Sequence, residues 1–186
     1  MKIICTVLIA CVFTALLTTS CKHGNQYPKE TATLDSLNKV LLSTDSLLRK
    51  TDSAKIKKSV DHVIITMDYV HMLAKDTVSS SARDILKTFG STQWELQIFL
   101  NRQAILKKEL PKSIAQIDHL SHDMKNDLIK KDSAMIFYDF EVKKAKELIE
   151  AANYGLGEVK MQMPILELVA PQADSLINRL KNHQKI

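Results

Sequence analysis

Residues 135–166 read MIFYDFEVKKAKELIEAANYGLGEVKMQMPIL and carry the most regular apolar pattern of the chain. Apolar side chains recur at alternating spacings of three and four residues, at Met135, Tyr138, Val142, Ala145, Ile149, Ala152, Leu156, Val159, Met163 and Leu166. This spacing places them on one narrow stripe of an α-helix, as in helices that pack along each other. Pro164 and Pro171 are expected to kink or end the helix, because proline has no amide proton to donate. A short terminal helix with Leu176 and Leu180 would then complete the chain.

Two further stripes precede this one, and they are out of step with each other. The first holds Leu34, Leu37, Leu41, Thr44 and Leu48, and the second holds Ile56, Val60, Val63, Met67, Val70 and Ala74. Their phases differ by one residue around Thr51-Asp52-Ser53. We therefore expect either a helix break or a local skip within one long helix at this point.

The middle of the chain shows a third stripe with turn signals on both sides. Residues 76–80 indicate a loop, and Ser81 with Asp84 three residues later resembles a capping box that begins a helix. The stripe follows at Ile85, Phe89, Thr92, Leu96, Phe99, Gln103, Leu106 and Leu110. Pro111 and Ser113 then predict a tight restart between two antiparallel helices. The second of these helices would carry Ile114, Ile117, Met124 and Leu128.

Taken together, the stripes predict an all-α fold. Only four Gly and four Pro occur in 186 residues, and strand-like alternation of apolar and polar residues is absent. Narrow stripes on helices joined by short connections favour antiparallel neighbours. We expect an elongated antiparallel helical bundle with coiled-coil-like packing, formed as a single domain by residues 32–186.

The N-terminus has the pattern of a secretory signal. Lys2 is followed by an apolar stretch over residues 3–17, which is shorter than the roughly 20 residues of a membrane-spanning helix. Small residues then lead to Ser20-Cys21. This ending resembles the lipobox of bacterial lipoproteins, although Thr18 stands where Leu is usual. The resemblance implies a signal peptide over residues 1–20, lipidation of Cys21 and a tether over residues 21–31. The alternative is an ordinary signal peptide cut nearby.

Composition agrees with an envelope protein. Cys5 and Cys11 lie in the segment that would be removed, so the mature chain would have no free thiol once Cys21 is acylated. The formal charge falls from +5 to +4, because the removed segment contains one Lys and no acid. Outside the cytoplasm we expect no nucleic-acid partner, and the charge is typical of a solvated surface. Residues 22–25, Lys-His-Gly-Asn, lack the acidic cluster associated with surface export in Bacteroidota-type lipoproteins, which the chain resembles. The resemblance therefore implies an outer-membrane lipoprotein facing the periplasm.

Six tripeptides combine Asp, a hydroxyl residue and an apolar residue, where chance predicts about 0.7. Their hydroxyl residues are Ser36, Ser46, Ser53, Thr77, Ser133 and Ser175. The triplet resembles the O-glycosylation sequon of Bacteroidota-type extracytoplasmic proteins, which implies glycans on these residues. Helix capping is the alternative, since Asp35, Asp52, Asp132 and Asp174 stand where helices are expected to begin.

No motif indicates catalysis, and we expect no enzyme activity, no cofactor and no metal. His119 and His122 have a spacing that can bind a divalent metal, but His119 lies opposite the apolar stripe. The sequence predicts a membrane-anchored, non-catalytic structural or protein-interaction module with an envelope protein as partner. The alternative is a helical module that binds a small ligand or metal. Polar side chains converging inside the bundle would favour it, and Gln103 and Lys131 occupy the relevant stripe positions.

Overall fold

The computed structural model describes residues 26–73 and 79–183 of the chain. Four helices cover 93% of these residues, and no strand occurs among them. The helices are α1 (Pro28–Lys50), α2 (Ser53–Leu73), α3 (Ser80–Lys125) and α4 (Lys131–His183). The predicted all-α fold is therefore confirmed. The predicted signal peptide, Cys21 and Thr77 lie outside the described residues.

The four helices form three columns. Within the described ranges α1 and α2 have no mutual contacts, and each packs against both α3 and α4. They lie end to end as one column beside the two long helices. Lys125, the last residue of α3, pairs with Asp35 near the start of α1, and Lys144 of α4 donates to Gln116 of α3. The long helices are thus antiparallel, and at about 1.5 Å per residue the 53 residues of α4 extend roughly 80 Å.

The predicted stripes form the core. Every α3 stripe residue from Phe89 to Leu110 is buried, as are Leu34, Leu41 and Leu48 of α1 and Ile56, Val60 and Val63 of α2. In α4 small residues alternate with larger ones that are half-buried against the core. Gly155 allows a close approach of α4 to α3, because a Cβ atom there would lie 2.9 Å from the Phe99 ring. Glycine at this position lets α3 and α4 pack with the aromatic ring between them.

The predicted restart at Pro111 is wrong, because α3 continues through it to Lys125. The apolar pattern remains in phase on both sides, since Leu110 is followed by buried Ser113, Ile117 and Met124. Breaking the helix would expose this continuous seam, and its burial outweighs the loss of one backbone hydrogen bond.

Pro164 and Pro171 also lie inside a helix, so the predicted separate terminal helix is wrong. Both prolines are exposed on α4. The core-facing side of α4 continues past them through buried Leu166, Val169, Ala173 and Ile177. As at Pro111, an in-phase apolar face keeps the helix intact.

Helix boundaries differ from the sequence predictions in three places. α1 begins at Pro28, inside the predicted tether, and Tyr27 is already buried. The N-cap of α3 is Ser79 and not Ser81, and its Oγ accepts from the Ala82 amide at 3.4 Å. α3 ends before Leu128, so this predicted stripe residue lies in the turn before α4 and is exposed.

Candidate functional site

Gln103 is the centre of a polar cluster at the junction between α1 and α2. Its side chain is 3% exposed, although it stands in the apolar stripe of α3. Its Nε2 donates to the Leu48 carbonyl at 3.1 Å, and its Oε1 accepts from Ser53 Oγ at 2.6 Å. Lys107 Nζ donates to the same Ser53 hydroxyl at 3.4 Å. We call Leu48, Ser53, Gln103 and Lys107 the junction cluster.

The cluster exists because a helix ends inside the bundle. The last carbonyls of α1 have no partner within their own helix, and a buried carbonyl without a hydrogen bond is costly. Gln103 supplies the donor for Leu48 from the neighbouring helix. On the other side of the junction, Asp52 Oδ1 accepts from the Lys55 amide at 2.9 Å and caps the start of α2. Of the four predicted Asp caps, Asp52 is the one that makes this bond.

A cleft of about 550 Å³ lies beside the junction cluster, between the first three turns of α2 and the middle of α3. Ser53, Gln103 and Lys107 line it, together with the mutually bonded pairs Lys57–Asp61 and Gln97–Asn101. Lys107 makes no ion pair within the described residues. The cleft therefore offers an ammonium group, amides and a hydroxyl to a ligand.

The hydroxyl groups of the five tripeptides that the structure describes lie in different surroundings. Ser36, Ser46 and Ser175 are exposed, and Ser133 is half-buried. Ser53 is also half-buried, and its hydroxyl is used in the junction cluster. The tripeptides are therefore not equivalent as acceptors of a bulky group.

Two of the four aspartates predicted as caps do not stand at helix starts. Asp35 lies in the second turn of α1, where it accepts from Ser121 Oγ at 2.7 Å and from Lys125 Nζ at 2.8 Å. Asp174 lies deep within α4, with His62 Nε2 at 3.0 Å from its Oδ1. The capping interpretation is therefore wrong for both. These contacts depend on the lateral register of the helices in the bundle. The spacing of residues along the chain does not set that register.

Electrostatics at Asp35 favour its charged form. The hydrogen bond from Lys125 lowers the pKa of the Asp35 carboxyl, and the hydrogen bond from Ser121 lowers it further. Around Asp174, a second cleft of about 360 Å³ is lined by His62, Tyr69 and Lys181. Lys181 Nζ lies 4.5 Å from the centre of the Tyr69 ring. Both sets of contacts tie the α1–α2 column to the long helices.

The other residues considered as ligands lie at the surface. His119 and His122 are exposed on α3, and His122 Nδ1 lies 3.2 Å from Asp123 Oδ1. Lys131 is exposed at the first residue of α4 and does not converge with Gln103. Among the described residues, no group of three or more His, Cys, Asp or Glu is arranged to hold a metal ion.

Exposed large apolar side chains occur on all four helices, and two groups of them on α4 and the turn before it were not predicted from the sequence. The tip patch consists of Leu128, Ile136, Phe137 and Phe140, at the turn between α3 and α4 and in the first turns of α4. The outer stripe consists of Tyr154, Met161 and Leu168, each at least half exposed on α4. Their seven-residue spacing is visible in the sequence as a second apolar series beside the buried one.

The comparisons with known proteins do not assign a role to these surfaces. No protein-family model, curated protein or solved structure matches the chain. Within residues 26–73 and 79–183, no helix combines the length and the apolar character needed to cross a membrane.

Proposed function

We propose that this protein is a lipoprotein anchored through Cys21 to the outer membrane, facing the periplasm, where its bundle docks an envelope protein without catalysing a reaction. The outer stripe carries the docking part of the proposal. Tyr154, Met161 and Leu168 recur every seven residues, which is the spacing that an apolar helix of a partner protein would match. The anchor rests on the sequence from Lys2 to Cys21.

The anchor is tested by Cys21→Ala. We expect this variant to leave the membrane fraction or to remain uncleaved, because one or two acyl chains are the proposed attachment. Normal processing and full membrane retention of the variant would contradict the anchor.

Docking is tested by site-specific photo-crosslinking in intact cells. A photoreactive residue at Tyr154 or Met161 should give a discrete adduct with another protein, whereas the same residue at exposed Lys58 on α2 should not. An adduct of twice the chain mass would identify a second copy as the occupant. Equal labelling at all three positions would contradict a defined docking face.

O-glycosylation accompanies this proposal at the tripeptides whose hydroxyl groups reach solvent. Ser36, Ser46 and Ser175 are the first candidates because they are exposed, and Thr77 and Ser133 remain candidates. Ser53 in the folded bundle is a poor acceptor because its hydroxyl bonds Gln103. The mass of protein from its native host, compared with that from a host lacking the pathway, tests this. Equal masses after allowance for lipid would contradict it.

The cleft beside the junction cluster favours a second candidate function, the binding of a small anion. Its volume suits a small molecule, and Lys107 is a half-buried cation that makes no ion pair among the described residues. Citrate and inorganic phosphate should then raise the thermal midpoint of the wild type but not of Lys107→Met. Equal effects on the two proteins would contradict a site at Lys107.

A further inference from the structure

The tip patch is the most exposed group of large apolar side chains at one end of the bundle. Leu128 is 65% exposed, Ile136 68%, Phe137 50% and Phe140 62%. Ile136 and Phe140 are four residues apart and so share one face of α4, with Phe137 adjoining them. Exposed aromatic and aliphatic side chains grouped in this way mark an interaction surface.

This end of the bundle is also the end at which α1 begins. The bond between Lys125 and Asp35 places the end of α3 beside the start of α1. α1 begins at Pro28, seven residues after Cys21, which at full extension is a distance of at most about 25 Å. An acyl group on Cys21 would therefore hold the tip patch within reach of the bilayer.

We infer that the tip patch rests in the interfacial region of the membrane that holds the lipid anchor, as a second point of attachment. This inference rests on the proposed anchor at Cys21. α4 starts at the tip, and helical side chains lean towards the N-terminus of their helix, so Phe137 and Phe140 incline towards the membrane. The patch thereby fixes the tilt of the whole bundle relative to the bilayer.

Charge around the patch permits this contact without dominating it. Lys29, Lys130 and Lys131 are exposed and outside any ion pair in the described part of the chain. The neighbouring acids, Glu30, Asp127, Asp132 and Asp139, outnumber them by one. Apolar insertion therefore supplies most of the attraction, and salt should weaken the contact little.

The position of the patch favours the bilayer over a second copy of the chain. Two copies joined tip to tip would point in opposite directions, with both lipid anchors at the joint. Only one of the two bundles could then extend away from a given membrane surface. A partner on the side of the column would meet the outer stripe first. The patch lies instead at the end nearest to the anchor.

The test uses the mature protein purified from its native membranes and reconstituted in vesicles of phosphatidylethanolamine and phosphatidylglycerol with brominated acyl chains. In a Trp94→Phe background, tryptophan is placed in the patch by Phe137→Trp or on the outer stripe by Tyr154→Trp. Bromine quenches tryptophan on contact. We expect the patch variant to lose most of its emission, in low and high salt alike, and the outer-stripe variant to lose none.

A mass measurement of the N-terminal peptide separates this inference from the anchor on which it rests. Acylated Cys21 without quenching in the patch variant overturns the inference and leaves the anchor in place. Equal quenching of both variants also overturns it, because the whole column would then lie on the membrane. An unacylated Cys21 overturns the anchor and, with it, the inference. Phe140→Trp should be quenched as strongly as Phe137→Trp. If it is not quenched, a single side chain contacts the membrane, and the inference that the whole tip patch does so is overturned.

Discussion

α3 and the α1–α2 column respond in opposite ways to signals that end helices. α3 contains Pro111 and continues through it, whereas the column breaks between Lys50 and Ser53, where no proline occurs. The difference lies in the phase of the apolar residues. Across Pro111 the seam keeps its spacing of three and four, but from Leu48 to Ile56 the step is one residue longer than a heptad. Here burial of the seam has more influence than the local propensity of a single residue.

The two irregular places lie beside each other and bond to each other. Pro111 cannot donate to the carbonyl four residues earlier, which belongs to Lys107, and Arg49 Nη2 lies 3.3 Å from that oxygen. In return, Gln103 of α3 donates to the carbonyl of Leu48 at the end of α1. Each column therefore provides the hydrogen-bond donor that the other lacks.

The largest expected effect comes from changing the phase of α3. Insertion of one alanine between Lys112 and Ser113 rotates the rest of α3 by about 100° and moves Ile117 and Met124 off the seam. Burial of each such side chain contributes about 1.5–3 kcal/mol, so the loss in unfolding free energy should be about 5 kcal/mol or more. The measurement is the urea midpoint, with circular dichroism to report helix content.

The matched control is the same insertion between Thr51 and Asp52, where the helix is already interrupted. Lengthening a connection is inexpensive, and we expect a loss of about 1 kcal/mol or less. Equal losses from the two insertions would show that phase does not decide where the helices break.

A smaller effect is expected from removing one seam contact next to the proline. Leu110 is fully buried, and Leu110→Ala should lower the unfolding free energy by about 2–5 kcal/mol. Ile105→Ala is the control, because Ile105 lies on the same helix and is 63% exposed. If the two substitutions shift the urea midpoint equally, the seam does not hold α3 together at Pro111.

The sequence predicted which faces are buried but not how the columns align. Spacings of three and four are local properties, so the stripes of α1, α2 and α3 could be assigned without a structure. The bonds Arg49–Lys107 and Gln103–Leu48 join residues 58 and 55 positions apart, and depend on the lateral register of α1 against α3. Nothing in a single stripe sets that register.

The errors have a common cause, which is the use of local rules where the packing of helices decides. Pro111 would end an isolated helix, but here the seam continues in phase behind it. Leu128 continues the spacing of a buried stripe, but the turn at residues 126–130 removes it from the helix. Asp127 adopts a positive φ of 52° there, which an aspartate tolerates better than most residues. This turn places Leu128 in the tip patch and outside the seam.

The junction cluster can be tested through its central amide. Gln103→Leu removes the donor for the Leu48 carbonyl and the acceptor for Ser53, and leaving buried polar groups unpaired costs about 1–3 kcal/mol. Ser53→Ala in that background should recover part of the loss, because one unpaired group is then removed. Exposed Gln172→Leu on α4 is the control and should change the urea midpoint little. A Gln103→Leu protein as stable as the wild type would mean that the junction needs no donor from α3.

The smallest expected effect concerns Asp35, which bonds the C-terminal end of α3 to the N-terminal part of α1. Its pKa is lowered by Lys125 and Ser121, so the folded state binds a proton less readily than the unfolded chain. The resulting stabilisation is present above the usual carboxyl pKa of about 3.9 and is lost as the pH falls through the lower folded value. Because both partners are partly exposed, Asp35→Asn should cost at most about 1 kcal/mol at neutral pH. Urea midpoints of variant and wild type should converge below about pH 4. A gap that stays constant with pH would show that the charge of Asp35 does not stabilise the contact between the columns.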